Sequence, residues 1–347
     1  MSFPFGASSG GGASKGPDLE TIQTEALGFL SIAGDAKVRL TSSWSDLPAP
    51  SSSLLSVASR KGLVAAAGPD QIIIATTEAI RKAFESPKDG DSDVRAFEPQ
   101  LKIPMSMRVS QLVFTADENY LVLSAESGGG LAVYEVQSLL GGSSASAFEL
   151  STNGEALRAL APNPTPEKAE LVAIVTDGGN LHMANLRDRS ISNALKGQVS
   201  CVSWSSKGKQ LCAGLADGSI HQMTPEGEGK AEIPTPPGQS NCHASTEVGL
   251  LTRSKNPLAS DKPADSITGV FTTTELLDDT KRPTLPMTDS MDDSTAIGIA
   301  LDLSATNKVY KPIPADDELE ESPSPLPGFW ILTHEGILCS WQRRIRD

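Results

Sequence analysis

Basic residues are scarce in this chain of 347 residues: 29 Lys and Arg stand against 43 Asp and Glu, which leaves a net charge of −14. Proteins that hold nucleic acid neutralise its phosphates with a basic surface. Direct binding to RNA or DNA is therefore disfavoured. An acidic surface suits a basic protein partner, while the simpler interpretation is that the charge only maintains solubility.

Long apolar runs are missing as well. No run approaches the roughly 18–20 residues of a membrane-spanning helix, and the N-terminus lacks the basic-then-apolar pattern of a signal peptide. The four cysteines share no metal-type spacing, and two of them, Cys201 and Cys212, fall inside strand patterns. Such positions predict buried, reduced thiols. Together these features predict an intracellular protein without membrane insertion.

Catalytic signatures are absent too: the sequence has no phosphate loop, no Ser nucleophile elbow and no zinc spacing. His182 and His221 follow equivalent hairpins, so a metal cluster on one face of a ring is one interpretation, and polar positions beside turns are the simpler one. Asp177 and Asp217 form a pair of carboxylates on one reading, but both precede Gly in turns that favour Asp for their geometry. We predict no enzyme, no catalytic residue, no cofactor and no metal.

Short strands and tight turns dominate what is present. Residues 199–223 read VSCVSWSSKGKQLCAGLADGSIHQM, which is typical of three strands joined by two turns. The second turn carries Asp217-Gly218, the signal of a tight hairpin. The pattern predicts the middle of a four-stranded antiparallel blade, the unit of β-propellers.

The blade pattern recurs along the chain. Leu112, Leu157 and Val202 occupy equivalent positions 45 residues apart, and a fainter copy covers residues 54–76. Propeller blades repeat every ~40–50 residues. The sequence therefore predicts an all-β, WD-like β-propeller. An unrelated β-sandwich would show strands at similar density but not this common phase.

The chain divides into two parts. Residues 1–17 are rich in Gly and Ser and predict a disordered tail, and residues 18–347 predict the propeller. Two strands predicted near residues 25–41 would complete the last blade, whose final hairpin is predicted at residues 329–341. The pattern weakens after Met223, where most of a blade is missing from the expected phase.

Several stretches together resemble one family. They are SLLSVASRKGLVAAAGPD at residues 53–70, LADGSIHQMTPEGEGK at 215–230, ASTEVGLLTRS at 244–254, KRPTLPMTDSMDDS at 281–294, IGIALDLS at 297–304 and PLPGFWILTHEGILCSW at 325–341. Their combination and order are similar to the N-terminal propeller of the cytoplasmic-face FG-repeat nucleoporin, closest to its filamentous-fungal members. The resemblance covers roughly Glu25 to Trp341.

The resemblance implies a seven-bladed propeller at the cytoplasmic side of the nuclear pore. It implies a non-catalytic platform that docks the DEAD-box helicase of mRNA export in competition with RNA. Other nucleoporins would be bound through regions absent from this chain. Relatives also carry a blade-sized segment between the PTPPG linker, residues 234–238, and the strand that begins at Ala244. Its absence here predicts an incomplete ring.

The resemblance also suggests where the helicase contacts lie, in loops of the fifth and sixth blades. The matching loop follows the TEVGLL strand. Arg253 is its first candidate contact, because an exposed Arg is a typical interface anchor. Ser254, Lys255 and Asp261 are its neighbours in the same loop. Lys281 and Arg282 are further candidates for the protein-binding site. The simpler interpretation of these residues is an ordinary solvated loop.

Two alternatives to helicase docking stay open. One is a generic WD-type propeller scaffold with another protein partner. The other is a propeller hydrolase, which would need a carboxylate or His that converges with others on the top face.

Overall fold

The computed structural model describes residues 20–24, 27–31, 34–88, 90–233, 250–252, 259–270, 272–278, 281–309 and 321–345. The first twelve strands are β1 (Thr21–Thr24), β2 (Leu27–Ser31), β3 (Lys37–Arg39), β4 (Leu55–Ala58), β5 (Leu63–Ala67), β6 (Gln71–Thr76), β7 (Val94–Arg95), β8 (Leu101–Pro104), β9 (Val109–Phe114), β10 (Tyr120–Ala125), β11 (Leu131–Glu135) and β12 (Phe148–Leu150). The others are β13 (Leu157–Pro162), β14 (Leu171–Thr176), β15 (Leu181–Asn185), β16 (Ser190–Ile191), β17 (Val199–Trp204), β18 (Leu211–Leu215), β19 (Ile220–Met223), β20 (Gly229–Ile233), β21 (Leu250–Thr252), β22 (Thr272–Leu276), β23 (Ala296–Asp302), β24 (Gly328–Thr333) and β25 (Ile337–Ile345).

Four antiparallel sheets of four strands each make up the first two thirds of the chain. Blade 1 contains β4, β5, β6 and β8, and blade 2 contains β9 to β12. Blade 3 contains β13 to β16, and blade 4 contains β17 to β20. These are the four repeats that the sequence predicts. Positions 112, 157 and 202 all lie on the first strands of blades 2, 3 and 4, but the predicted equivalence was wrong for Leu157, which begins β13, whereas Leu112 and Val202 are fourth in β9 and β17. The predicted propeller fold is confirmed.

Two further sheets bring together the ends of the chain. The terminal sheet runs in the order β23, β24, β25, β3 and β7, with β2 paired to the far end of β25. The small sheet runs in the order β1, β22 and β21. The prediction that an N-terminal strand completes the last blade is confirmed, since β2 and β3 both pair with β25.

The first strands of successive blades pack side by side. β23 lies against β4, β4 against β9, β9 against β13, and β13 against β17. Backbone hydrogen bonds cross two of these junctions: the Leu54 amide donates to the Ile297 carbonyl over 3.0 Å, and the Leu112 amide donates to the Ser53 carbonyl over 3.0 Å. The terminal sheet and blades 1 to 4 therefore form one continuous series of blades.

The composition of each strand follows from how many faces of its blade are covered. β5 reads LVAAA and is buried at every position, because blade 1 has a neighbour on both faces. β18 reads LCAGL and alternates between buried and exposed, because blade 4 packs against blade 3 on one face only. A strand covered on both faces is a continuous apolar run, whereas a strand covered on one face alternates.

This difference overturns one prediction. Cys201 and Cys212 are both exposed, not buried, although they lie within β17 and β18 as expected. Their side chains project from the face of blade 4 opposite to the one that packs on blade 3, and no other described blade lies against it. The prediction of buried thiols was wrong because it assumed that both faces of the blade are covered.

The helices are short. α1 (Thr77–Glu85) is capped by Thr76, whose hydroxyl accepts from the Ala79 amide over 3.1 Å. α2 spans Val136–Leu140 and α3 spans Ala264–Ile267. In the described part of the chain, no helix has the length and apolarity needed to cross a membrane.

A buried carboxylate joins blades 1 and 2 and yields a stability prediction. Glu118 accepts from the amides of Arg60 and Lys61 over 3.1 and 2.8 Å. Glu118→Ala leaves both amides without this acceptor, so we expect the free energy of unfolding to fall by about 1–3 kcal/mol. Urea denaturation measures the change.

The matched control is Glu118→Gln, which keeps one acceptor oxygen in the same place. It should lose less stability than Glu118→Ala. Equal stability of Glu118→Ala and the parent chain would contradict a linking role.

Candidate docking surface

The small sheet positions the candidate residues that the structure describes. β1 runs parallel to β22, with Gln23 opposite Glu275 and Thr24 opposite Leu276. Alternate side chains of both strands are buried: Ile22 and Thr24 in β1, and Thr272, Thr274 and Leu276 in β22. An N-terminal strand thus fixes a sheet that is otherwise built from residues more than 200 positions later.

Asp261 is bonded to this N-terminal strand. Its Oδ1 accepts from the Gln23 amide over 2.7 Å, and its own amide donates to the Gln23 carbonyl over 3.2 Å. The residue is exposed. One of its carboxylate oxygens therefore supports the sheet while the side chain remains accessible to solvent.

Lys281 and Arg282 follow β22 and also have partners within the protein. The Lys281 ammonium lies 3.1 Å from an oxygen of Asp278, and its methylene groups cover Gly28 in β2. The Arg282 guanidinium donates to the carbonyl of Leu276 over 3.2 Å. Lys281 thereby connects the small sheet to the terminal sheet.

The structure therefore brings three of the six predicted residues, Asp261, Lys281 and Arg282, to one end of the small sheet. Arg253, Ser254 and Lys255 lie outside the described residues. The assignment of all six to a binding site stays a prediction.

Sequence reasoning missed the turn that follows this cluster, residues 287–293, which we name the Met–Asp turn. An isolated bridge between Met287 and Asp293 closes it, and the Thr288 amide donates to the Asp292 carbonyl over 2.9 Å. Met287 is 55% exposed, and Met291, in the left-handed conformation with φ 68°, is 71% exposed. Flexible methionine side chains on a surface are adaptable apolar contacts. The sequence feature that could have indicated this turn is the mixture of Met and Asp in PMTDSMDD at residues 286–293.

The Met–Asp turn stands beside cations of the terminal sheet. Lys37, Arg39 and Arg95 line a cleft of about 400 Å³ together with Thr288 and Asp289. Arg39 donates to the Glu335 carbonyl over 2.8 Å, which fixes its direction. Asp93, Glu335 and Met287 line the same cleft, so charges of both signs and an apolar side chain meet where the turn adjoins the terminal sheet.

Among the residues that the structure describes, Asp217 and His182 make local hydrogen bonds within their hairpins. No group of three or more His, Cys, Asp or Glu side chains in the described ranges could hold a metal ion. Asp217 acts in its turn as predicted: its Oδ1 accepts from the Ser219 amide and hydroxyl over 2.9 and 2.6 Å, which lowers the pKa of this carboxyl. The His182 ring bonds the Ser192 carbonyl over 2.9 Å.

Comparisons with known proteins agree with this architecture. A family model described as the NUP159/214 beta propeller matches residues 48–243 and 240–338. The nucleoporin NUP159 of Chaetomium thermophilum is 50% identical over 434 residues, which cover 98% of this chain and 29% of that protein.

Solved structures share the fold. A chain in the S. cerevisiae structure of dbp5 bound to nup159, gle1, ip6 and adp has a TM-score of 0.66 and 15% identity, and the match covers 96% of this chain and 100% of that one. The crystal structure of the N-terminal domain of Nup159 has a TM-score of 0.65 and 15% identity, with the same coverage. The chain spans less than a third of the length of the curated relatives it matches.

Proposed function

Because the chain belongs to the NUP159/214 β-propeller family, we propose that it docks the DEAD-box helicase of mRNA export at the cytoplasmic side of the nuclear pore. The family is one of nucleoporin propellers and not of enzymes. The observation that carries the docking proposal is that a propeller of the same fold occurs in a structure with dbp5 bound to nup159. Longer relatives offer further regions through which other nucleoporins would be bound.

Charge gives a physical reason for this partner. A helicase binds RNA phosphates with a basic surface, and this chain carries a net charge of −14. Complementary charge speeds encounter and selects partners. If the acidic propeller covers the same basic surface as RNA, the two ligands exclude each other. Docking in competition with RNA follows from that overlap.

The proposed contact surface has two parts. One contains the residues predicted from the resemblance, Arg253, Ser254, Lys255, Asp261, Lys281 and Arg282, and its four cations would pair with acidic groups of the helicase that lie beside the basic RNA-binding surface. The other is the Met–Asp turn, whose exposed Met287 and Met291 would enter an apolar hollow while its carboxylates face cations of the helicase. Lys281 contacts Gly28 of β2 with its methylene groups and Asp278 with its ammonium, and so connects the small sheet to the terminal sheet.

Calorimetric titration with the N-terminal RecA-like domain of the export helicase tests this proposal. We expect binding that weakens as salt rises, because exposed charges are screened. The double variant Met287→Ser, Met291→Ser should bind roughly tenfold more weakly, which corresponds to about 1.4 kcal/mol. A labelled RNA bound to the helicase should be displaced by the parent chain.

The control variant changes two other exposed apolar residues, Met107→Ser and Leu140→Ser, which are 45 and 50% exposed, and should bind as the parent does. If both double variants lose the same affinity for the helicase, the Met–Asp turn is not part of the binding site. An absence of binding by the parent chain would favour the generic scaffold with another partner.

A further inference from the structure

A cleft of about 760 Å³ lies between blade 1 and the terminal sheet, and we call it the junction cleft. Blade 1 forms one wall with the turn between β4 and β5, residues 59–62, and with the first turns of α1. Residues 304–309, which follow β23, form the other wall together with the end of β2. The volume is typical of a site for a small molecule.

The lining of the junction cleft is rich in hydroxyl groups. They come from both walls, and the residues that carry them are Ser31, Ser59, Thr76, Thr77, Ser304 and Thr306. Pockets for apolar ligands are lined mainly by hydrophobic and aromatic side chains. Among the described residues, no aromatic side chain lines this cleft. The lining therefore favours a hydrophilic ligand.

Cations outnumber carboxylates in the lining. The cations are Arg60, Lys61, Arg81 and Lys308, and the carboxylates are Glu78 and Glu85. Glu78 is neutralised by Lys82 of the same helix, whose ammonium lies 2.7 Å from a Glu78 oxygen. This local excess is opposite in sign to the net charge of −14 of the whole chain. The junction cleft thus has the charge of an anion site within an acidic protein.

Both arginines are held in place by buried or partly buried acidic groups. The Arg81 guanidinium lies 2.5 Å from an oxygen of Asp302, which is buried, and donates to the Ser304 hydroxyl over 3.0 Å. The Arg60 guanidinium lies 3.5 Å from an oxygen of Glu118. Their orientations are therefore set before any ligand arrives, which lowers the entropy cost of binding.

The two lysines carry the positive charge that remains. Lys61 is exposed and donates to the neutral Asn119 side chain over 3.0 Å, and Lys308 is exposed as well. Within the part of the chain that the structure describes, neither lysine forms an ion pair. Lys61 belongs to the blade 1 wall and Lys308 to the opposite wall. The balance stays positive after Glu85 is counted, so an anion in the cleft would be attracted from both sides.

We propose that the junction cleft binds a small soluble polyanion that carries several phosphate groups, and that this ligand joins the two walls. Arg and Lys side chains together with Ser and Thr hydroxyl groups are the usual partners of phosphate oxygens. Several phosphate groups are needed because one charge cannot satisfy lysines on opposite walls. A ligand that contacts both walls stabilises the junction of blade 1 with the terminal sheet.

Titration of the full chain with tripolyphosphate in phosphate-free buffer tests this proposal. At about a hundred times its Kd, the ligand should raise the melting temperature by about 3 °C or more. The double variant Lys61→Gln, Lys308→Gln should bind about tenfold or more weakly by calorimetry, because it removes one charge from each wall. Both lysines are exposed, so the melting temperature without ligand should stay nearly unchanged.

The matched control is the double variant Lys207→Gln, Lys209→Gln. It makes the same change in net charge at two exposed lysines in the turn between β17 and β18 of blade 4, and it should bind as the parent chain does. Hydrogen exchange of the parent chain supplies an independent readout. Tripolyphosphate should slow amide exchange at residues 59–62 and at residues 304–309 together.

Equal weakening of binding in the two double variants would overturn the proposal, because binding would then follow net charge rather than the cleft. An absence of binding, or slower exchange at one wall only, would overturn it too. A polyglutamate peptide or a single-stranded RNA of matched charge that binds more tightly than tripolyphosphate would assign the cleft to an acidic protein or to a nucleic acid instead.

The acidic run DDELEE at residues 316–321 supplies a last comparison. If tripolyphosphate binds only after these carboxylates are replaced by amides, the cleft belongs to the chain's own acidic residues, and the proposal fails. None of these measurements involves the helicase, so they stand or fall independently of the proposed function.

Discussion

Deletion of residues 1–40 is expected to abolish cooperative folding of the chain. The deletion removes β1, β2 and β3, and with them the buried side chains of Ile22, Phe29, Val38 and Leu40. Burying one large apolar side chain stabilises a fold by about 1.5–3 kcal/mol. Four of them contribute roughly 6–12 kcal/mol, which is comparable to the whole stability of about 5–15 kcal/mol of a typical domain.

Circular dichroism melts and limited proteolysis would show the loss as a missing transition and rapid cleavage. The matched control is deletion of residues 1–17, which we propose to be a tail outside the propeller, and its melting curve should coincide with that of the parent. Adding a peptide of residues 18–40 to the longer deletion should restore the transition. A cooperative melt of the longer deletion within a few degrees of the parent would contradict the proposed role of the N-terminal strands.

Trp330→Ala is expected to be the most damaging single substitution in the terminal sheet. Trp330 lies in β24, which has a strand on each side, is 1% exposed, and belongs to the core that the terminal sheet shares with blades 1 and 2. Removing a buried Trp side chain costs about 3–5 kcal/mol, because the cavity it leaves closes only in part. Chemical denaturation should show a fall of that size in the free energy of unfolding. The midpoint should move to a lower denaturant concentration while the dependence of the free energy on denaturant stays unchanged.

Trp330→Phe separates volume from hydrogen bonding. The Trp330 indole nitrogen has no hydrogen-bond partner among the described residues, so Phe removes volume but no hydrogen bond and should cost clearly less than Ala. If Phe and Ala cost the same, the indole must contribute more than packing, and the cavity explanation fails.

The first four blades could be predicted from the sequence because local chemistry repeats in them. The Asp217 turn is formed by residues adjacent in the chain, and the apolar strands around it recur at a fixed distance. The strands β21 and β22 are short and rich in Thr, and β22 is fixed by β1 from the other end of the chain. No local pattern specifies a pairing across about 250 residues. The sequence therefore predicts the strands of the second half less completely than those of the first four blades.

The exposure of Cys201 and Cys212 could not be predicted, because the burial of a strand residue depends on whether a neighbouring blade exists. The same limit applies to the candidate site. Lys281 reads as a loop cation in the sequence, whereas its contact with Gly28 depends on how the two end sheets meet. The Met–Asp turn is a candidate for the protein-binding surface because Met291 is exposed, and no sequence pattern shows that exposure.

The pairing of β2 with β25 also determines when the protein can finish folding during its synthesis. Ser31 pairs with Trp341, so its partner leaves the ribosome 310 residues later. At the roughly 5–20 residues per second of translation, β2 waits about 15–60 s without its partner strand while blades 1 to 4 form. The nascent chain therefore carries unpaired strand backbone for most of its synthesis, and chaperones that bind extended segments have that interval in which to act.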